Sequence, residues 1–396
     1  MLIGEHATIL GAGIAGLALA RALALRGAKV TVLEQAAQIS EVGAGLQLSP
    51  NGLAVLRALG LEVPPGSWRS EAVELRNGAD DALVARLPMR ELRPGQDWRL
   101  VHRADLIAVL EQGARAAGVE IRLLQRIEAA GLDHNGPWLR SAQGAQMHPG
   151  LVIGADGLHS VIRRALLPDS RPFFTGQVAW RALIPAAPGA GAKAEIHMGP
   201  GRHLVSYPLR DGSLRNIVAI EERNSWTEEG WSQPDDPDHL RAAFAGFSPK
   251  VQGWLEQVES CWLWGLFRHP VAGRWGAVAA GNPSSGLALV GDAAHPTLPF
   301  LAQGANLALE DAWVLAGALS ETDSLAAALA LYQKRRFDRV TRVVAAASAN
   351  ARNYHLRSPA REAAHLALRL ASRFAPGMLV GRYDWIHAHD VTRAES

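Results

Sequence analysis

The chain has 396 residues, more than one hydrophobic core ordinarily serves, so two intertwined domains are expected. Its formal net charge of +2 gives no electrostatic case for a nucleic-acid partner, and a single cysteine, Cys261, excludes an intrachain disulfide framework and any cysteine-based metal cluster. No metal site is expected, and no apolar run approaches the roughly 20 residues of a membrane span, so the expectation is a cytoplasmic protein with no membrane partner.

The chain opens on a dinucleotide fingerprint. His6 to Leu10 reads as a short buried strand, Gly11-Ala12-Gly13-Ile14-Ala15-Gly16 as G-x-G-x-x-G, Leu17 to Arg26 as a helix, and Lys29 to Leu33 as a second strand ending at Glu34. Gly11 serves the tight turn, Gly13 lets backbone approach a pyrophosphate, and Gly16 allows close helix–strand packing. Glu34 is placed to accept from ribose hydroxyls. The pattern does not separate FAD from NAD.

Further along, Glu41 to Leu61 is a Gly-rich loop leading into a helix capped near Ser49-Pro50-Asn51. Ala72–Leu75 and Leu83–Leu87 read as strands interrupting the nucleotide domain, His102 to Ala117 as a helix, and Glu120 to Leu124 as a returning strand. Leu151 to Gly157 is a strand ending in the Asp156-Gly157 turn. From Pro172 to about Pro270 the pattern is β-rich, with one polar stretch at Glu228 to Asp238. Leu287 to Val290 then ends at Gly291-Asp292, a loop with Pro296 and Pro299 follows, and a helix opens at about Gln303-Gly304. Such a helix start aims free N–H groups at an anion or a partially negative ring edge. Periodicity near 3.6 runs from Asn306 to the end.

Three ordered motifs, with GADGLHSVIRR (154–164) in the middle, make the chain similar to the single-component FAD-dependent aromatic hydroxylases. The resemblance lies nearest the salicylate hydroxylase and 3-hydroxybenzoate 6-hydroxylase group, related to p-hydroxybenzoate hydroxylase. It also rests on EVGAGLQLSPN (41–51), HRADL (102–106), GQVAWRALIP (176–185), GDAAHPTLPFLAQGANLALEDA (291–312) and YDWIHAHDVT (383–392). It implies an α/β fold: a Rossmann-like FAD-binding domain with an interleaved mixed β-sheet substrate domain and C-terminal helices. The division expected is 1–70, 100–171 and 271–345 for FAD, 71–99 and 172–270 for the substrate sheet, and 346–396 as a C-terminal helical segment.

The resemblance assigns FAD to Gly11, Gly13, Ala15, Gly16, Glu34, Gly45, Arg103, Asp156, Gly157 and Asp292, and to the backbone of Gly304, Ala305 and Asn306. NADH or NADPH is the implied co-substrate. The implied reaction takes up O₂ and passes one oxygen atom, through a flavin C4a-hydroperoxide, to a small aromatic or N-heteroaromatic substrate. A monomer or homodimer is expected.

Substrate activation needs an acceptor for a phenolic proton and a donor for a carboxylate or carbonyl. Candidates are Gln47, Arg181, His197, His203, Ser206 and Tyr207, with Pro296 and Pro299 stiffening the loop beside the oxygen-transfer position. Ser206 stands where many relatives carry a histidine, which puts a standard deprotonation in question, and His203 is expected at the surface. His295 reads as a structural hydrogen-bonder, and Trp262 and Trp264 as core. Arg335, Arg336, Arg339, Arg342, Arg352, Arg357 and Arg361 read as a solvated helix face. The alternatives are an epoxidase or tetracycline-type inactivating monooxygenase of the same fold, a non-catalytic FAD-binding sensor, and an NAD-linked dehydrogenase.

Overall fold

The computed structural model describes residues 4–39, 45–186, 189, 191–226 and 233–393. Its first layer is a six-stranded sheet in the order Gly276–Val278, Gly286–Leu289, Leu151–Gly154, His6–Leu10, Lys29–Leu33, Glu120–Arg122. All neighbours pair parallel except the first two. The central strands are near-continuous apolar runs because both faces are covered, as parallel sheets require. The fingerprint helix Ile14–Ala24 packs between the sheet and the long helix Gly304–Glu321. Its small residues permit the approach: a Cβ at Gly16 would lie 2.0 Å from the Gly11 carbonyl oxygen.

A second sheet has eight strands: Gln233–Asp235, Cys261–Arg268, Phe173–Pro185, Leu214–Glu222, Arg202–Leu209, Lys193–Gly199, Ala72–Asn77, Leu83–Leu87. Only Lys193–Gly199 against Ala72–Asn77 is parallel, so the sheet is mixed, as expected. The β-rich reading of 172–270 missed two helices, Pro237–Ala243 and Pro249–Leu255, each started by a proline behind Asp236 or Ser248. Leu240, Phe244, Val251 and Leu255 pack with Trp180, Leu204 and Ile217 to cover one face of this sheet. The other face looks toward the first layer.

Two further differences stand out. A small antiparallel sheet, Ile127–Leu132, Pro137–Ser141 and Gln146–Met147, was not anticipated. The expected break at residue 345 falls inside one unbroken helix, Leu325–Tyr354. The segment Ala277 to Gly286 is a hairpin connection at the sheet edge, where the Gly281 N–H donates to the His134 carbonyl. Residues 41–44 of the Gly-rich loop and residues 227–232 lie outside the described residues.

Candidate active site

One cavity of about 420 Å³ joins the N-terminal fingerprint to the loop that carries Asp292. It begins at Gly13, Ile14 and Ala15, passes Arg103, Ala155, Gly157 and Asp292, and reaches Gly304 and Ala305. It continues without interruption to Gln47, His203, Tyr207 and Pro299, under a cover that includes Tyr354, Tyr383 and His387.

The first half has the shape and chemistry of a dinucleotide cradle. Gly11 has φ +100°, and a Cβ there would meet the Ala155 carbonyl oxygen at 2.6 Å, so only glycine fits the turn. Gly13 and Gly157 instead face open space. Glu34 is held beside the fingerprint, one carboxylate oxygen accepting from the Ala12 N–H at 2.7 Å and the other from the Ala36 N–H at 2.9 Å. Burial raises the Asp292 carboxyl above its ordinary value, against His295 and Arg103, which draw it down. Asp311 fixes the loop that carries Asp292: it accepts from the Gly291 N–H at 3.0 Å and from Arg336 Nε at 2.8 Å, and contacts His295. His295 is thus a structural partner, as its motif suggested.

The helix Gly304–Glu321 starts at the cavity with no acidic residue in its first turn and no side-chain cap. The Gln303 amide is turned away, accepting from Asn51 at 3.1 Å and donating to Ser49 Oγ at 3.0 Å. The Asn306 side chain is a buried pin: it accepts from the Ser49 N–H and donates to the carbonyls of Gln47 and Ala302. The geometry fits FAD, with glycine backbone for the pyrophosphate, a carboxylate at mid-length and a free helix start at the ring end.

Several expected site residues face elsewhere. Asp156 is absent from the cavity wall, and its carboxylate accepts from the Val161 N–H at 2.8 Å, capping the next helix. Gly45 lines the cavity, but a Cβ there would strike the Tyr207 ring at 2.5 Å, so this glycine makes room for tyrosine. Pro296 lies behind the wall that Thr297, Leu298 and Pro299 form. Arg181 stacks on Trp264, its Cζ 5.2 Å from the ring centroid, and is not part of the wall. Ser206 lies on the sheet's other face, where its hydroxyl accepts from Arg215 Nη1 at 2.9 Å. His197 is on that face too, beside Asp81 and Trp254, where burial takes its pKa down to about 3. Arg336, expected in solvent, is fully buried between Glu310 and Asp311, and Arg339 pairs with Glu310 at 2.7 Å.

His203 reverses its expectation most completely. It has no solvent exposure, and alternation along Arg202–Leu209 puts it on the cavity face with Val205 and Tyr207. Its Nδ1 lies 2.7 Å from His355 Nε2, and its Nε2 has no hydrogen-bond partner among the described residues. Burial, then the neighbouring His355, holds its pKa well below the ordinary imidazole value. Burial raises the Tyr207 phenol, so both groups are neutral near pH 7.

Fold and cavity together define a flavin-dependent oxidoreductase whose substrate pocket is continuous with its dinucleotide cradle. The sequence family described as an FAD binding domain matches residues 6–245 and 264–347, and the chain belongs to it. The 3-amino-4-hydroxybenzoate 2-monooxygenase PtnB3 of Streptomyces platensis is 35% identical over 395 residues, covering 96% of this chain and 95% of its own length. The 3-hydroxybenzoate 6-hydroxylase of Polaromonas naphthalenivorans (strain CJ2) is 34% identical, covering 88% and 87%. The crystal structure of Klebsiella pneumoniae HpxO complexed with FAD and uric acid matches with a TM-score of 0.79 at 26% identity, covering 94% of this chain and 95% of that one. This chain is accordingly an FAD-dependent monooxygenase of the aromatic hydroxylase class, using NAD(P)H and O₂ on a small aromatic substrate. No helix among the described residues is long and apolar enough to cross a membrane.

Proposed function

We propose that the substrate is an electron-rich phenol of the hydroxybenzoate kind, with 3-amino-4-hydroxybenzoate the first candidate, and that His203 accepts its phenolic proton. The observation that carries this reading is the buried Nε2 of His203, without a hydrogen-bond partner among the described residues, in the wall of the cavity that also holds Gly304 and Tyr207. Val73, Ala194, Ile196, Val205, Val218 and Ile220 supply flat apolar wall for an aromatic ring and exclude water. Arg103 is the one Arg or Lys among the described residues of the wall. A phenol there finds neutral acceptors and donors rather than an ion-pair partner, and a neutral imidazole is the right acceptor near pH 7.

Bound FAD supplies the redox chemistry, taking electrons from NAD(P)H and delivering one atom of O₂ to the ring. The protein's own residues do the rest. Gly11, Gly13 and Ala15 would hold the pyrophosphate, Glu34 a ribose, Arg103 and Asp292 the middle of the cofactor, and the N–H groups at Gly304 and Ala305 the pyrimidine edge of its ring. Gln47 and the Tyr207 hydroxyl would orient the substrate, and Pro299 keeps the loop beside it stiff. Removing the phenolic proton raises electron density at the ring carbons ortho and para to oxygen, which in 3-hydroxybenzoate include position 6; in 3-amino-4-hydroxybenzoate position 2 is meta to the hydroxyl and is activated by the neighbouring amino group. The single cysteine and balanced charge support a cytoplasmic enzyme, read here as a monomer or homodimer.

The test measures NADH and NADPH consumption with 3-amino-4-hydroxybenzoate, 3-hydroxybenzoate and uric acid, with mass spectrometry for one added oxygen. The reading expects coupled turnover on a phenolic acid. Coupled turnover on uric acid alone, or peroxide formation without an oxygenated product on every phenol, rejects it.

A further inference from the structure

We propose that His203, His355 and Glu222 form a proton relay that carries the phenolic proton of bound substrate out of the cavity to solvent. The inference rests on the phenol reading of the cavity and adds two residues, His355 and Glu222, to its chemistry.

The atoms form an unbroken line. His203 Nδ1 is 2.7 Å from His355 Nε2, and His355 Nδ1 is 3.0 Å from Glu222 Oε1. His203 is fully buried and His355 nearly so, whereas the Glu222 side chain is 42% exposed. The line therefore starts in the cavity and ends in water. The fold sets each member. Glu222 ends Leu214–Glu222, the strand whose Val218 and Ile220 line the same cavity. His355 is the residue at which the helix Leu325–Tyr354 stops, and its carbonyl accepts from the Gly201 N–H.

The partners also determine the tautomers. A carboxylate can only accept, so His355 Nδ1 carries the proton and His355 Nε2 has the lone pair. That lone pair accepts from His203 Nδ1–H, which leaves the His203 Nε2 lone pair for the substrate. In the transfer the substrate O–H breaks and His203 Nε2–H forms. His203 Nδ1–H breaks as His355 Nε2–H forms, and His355 Nδ1–H breaks as Glu222 Oε1–H forms. Glu222 then releases its proton to water. One proton enters, one leaves, and no electrons move.

Few charged groups interfere. Around His203 lie the rings of Tyr354, at 5.1 Å between centroids, and Phe300, at 5.5 Å, besides His355. Around His355 lie Glu222, which raises its pKa, and Arg202 and Arg357, which lower it; burial dominates and the ring stays neutral. Arg357 is 3.3 Å from the second carboxylate oxygen of Glu222.

The test uses FAD-loaded enzyme and 4-hydroxy-3-nitrobenzoate, whose phenolate absorbs in the visible, in stopped flow with a pH-indicator dye. His355→Phe should slow both phenolate formation and proton release by at least about tenfold. Added imidazole should restore both in His355→Ala, an effect that loss of packing would not show. Glu222→Gln, a conservative change at an exposed position, should slow proton release several-fold at unchanged flavin content. If His355→Phe and Glu222→Gln release the proton as fast as wild type while His203→Phe does not, the proton leaves by another path and the relay is wrong. If the nitrophenol binds wild type without ever ionising, or does not bind, the phenol reading falls and takes the relay with it.

Discussion

The two faces of the eight-stranded sheet are built by the same strands and carry opposite kinds of polarity. On the face covered by the helices Pro237–Ala243 and Pro249–Leu255 lie Glu74, Arg76, Glu195, His197, Ser206 and Arg215. Four of these groups are charged, and most of the six are closed on one another or on Lys193: Arg76 to Glu74 at 2.6 Å and to Glu195 at 3.2 Å, Lys193 to Glu74 at 3.0 Å, Arg215 to Ser206 at 2.9 Å. The cavity face is almost uncharged, and its few polar groups, His203 and Tyr207 above all, are neutral and aimed at a space. Charge density alone would have directed attention to the wrong face. Satisfied valence marks structure, and an open valence beside a cavity marks chemistry.

The largest effect that could break this contrast is on the cavity face. His203→Phe preserves an aromatic ring of similar size and removes the acceptor. The expected outcome is a loss of about 10²–10⁴-fold in kcat on a phenolic substrate, with flavin content unchanged. Steady-state oxygenation measured beside flavin absorbance decides it, and a loss smaller than fivefold would return His203 to packing. Next comes the cradle. Asp292→Ala should lower flavin retained through purification by about tenfold or more while circular dichroism stays the same. Full flavin content would remove Asp292 from the cofactor site.

How much of this could be read without coordinates follows from the distance between partners in sequence. The fingerprint and the Asp292 loop were legible because their geometry is local: Gly11 must adopt a positive φ, Gly16 must touch Gly11, and the helix at Gly304 must begin where the loop ends. His203 was not, because its environment is set by pairing with Leu214–Glu222 and by His355, a residue 152 positions away. One signal was present all the same. His203, Val205 and Tyr207 alternate, so accepting Tyr207 as a pocket residue should have placed His203 beside it. Arg336 was misread for the reverse reason. Helical spacing gave it a face, but nothing local shows that Glu310 and Asp311, an adjacent pair of acids on another helix, face it from inside.

That buried network sharpens the comparison from the side of stability. Burial alone would raise the Glu310 carboxyl, but the charges of Arg336 and Arg339 outweigh it and hold the group at about 2. A carboxyl depressed in the folded state stabilises above its ordinary value and loses that stabilisation as pH falls toward the folded one. Urea midpoints should therefore decline between about pH 4.5 and pH 2, and less steeply in Glu310→Gln. Arg336→Met, which takes the shared guanidinium from two buried carboxylates and leaves Glu310 to Arg339 and Asp311 to His295, should cost about 3–5 kcal/mol at pH 7, and less as they become protonated in acid.

The smallest effect is the most discriminating between the faces. Ser206 is adjacent in sequence to Tyr207, a cavity residue, which invites a catalytic reading. Among the described residues, however, its hydroxyl bonds to the Arg215 guanidinium alone, under the covering helices. Ser206→Ala should cost about 1 kcal/mol of stability, through one lost hydrogen bond to a charged group that keeps Glu195 within 3.6 Å. It should leave kcat, KM and the pH profile of oxygenation where they were. Thermal denaturation and steady-state rates on the same preparation measure both. A kinetic defect without a stability change would mean that the strand's register places Ser206, not His203, toward the ring, and the assignment of the two faces would have to be exchanged.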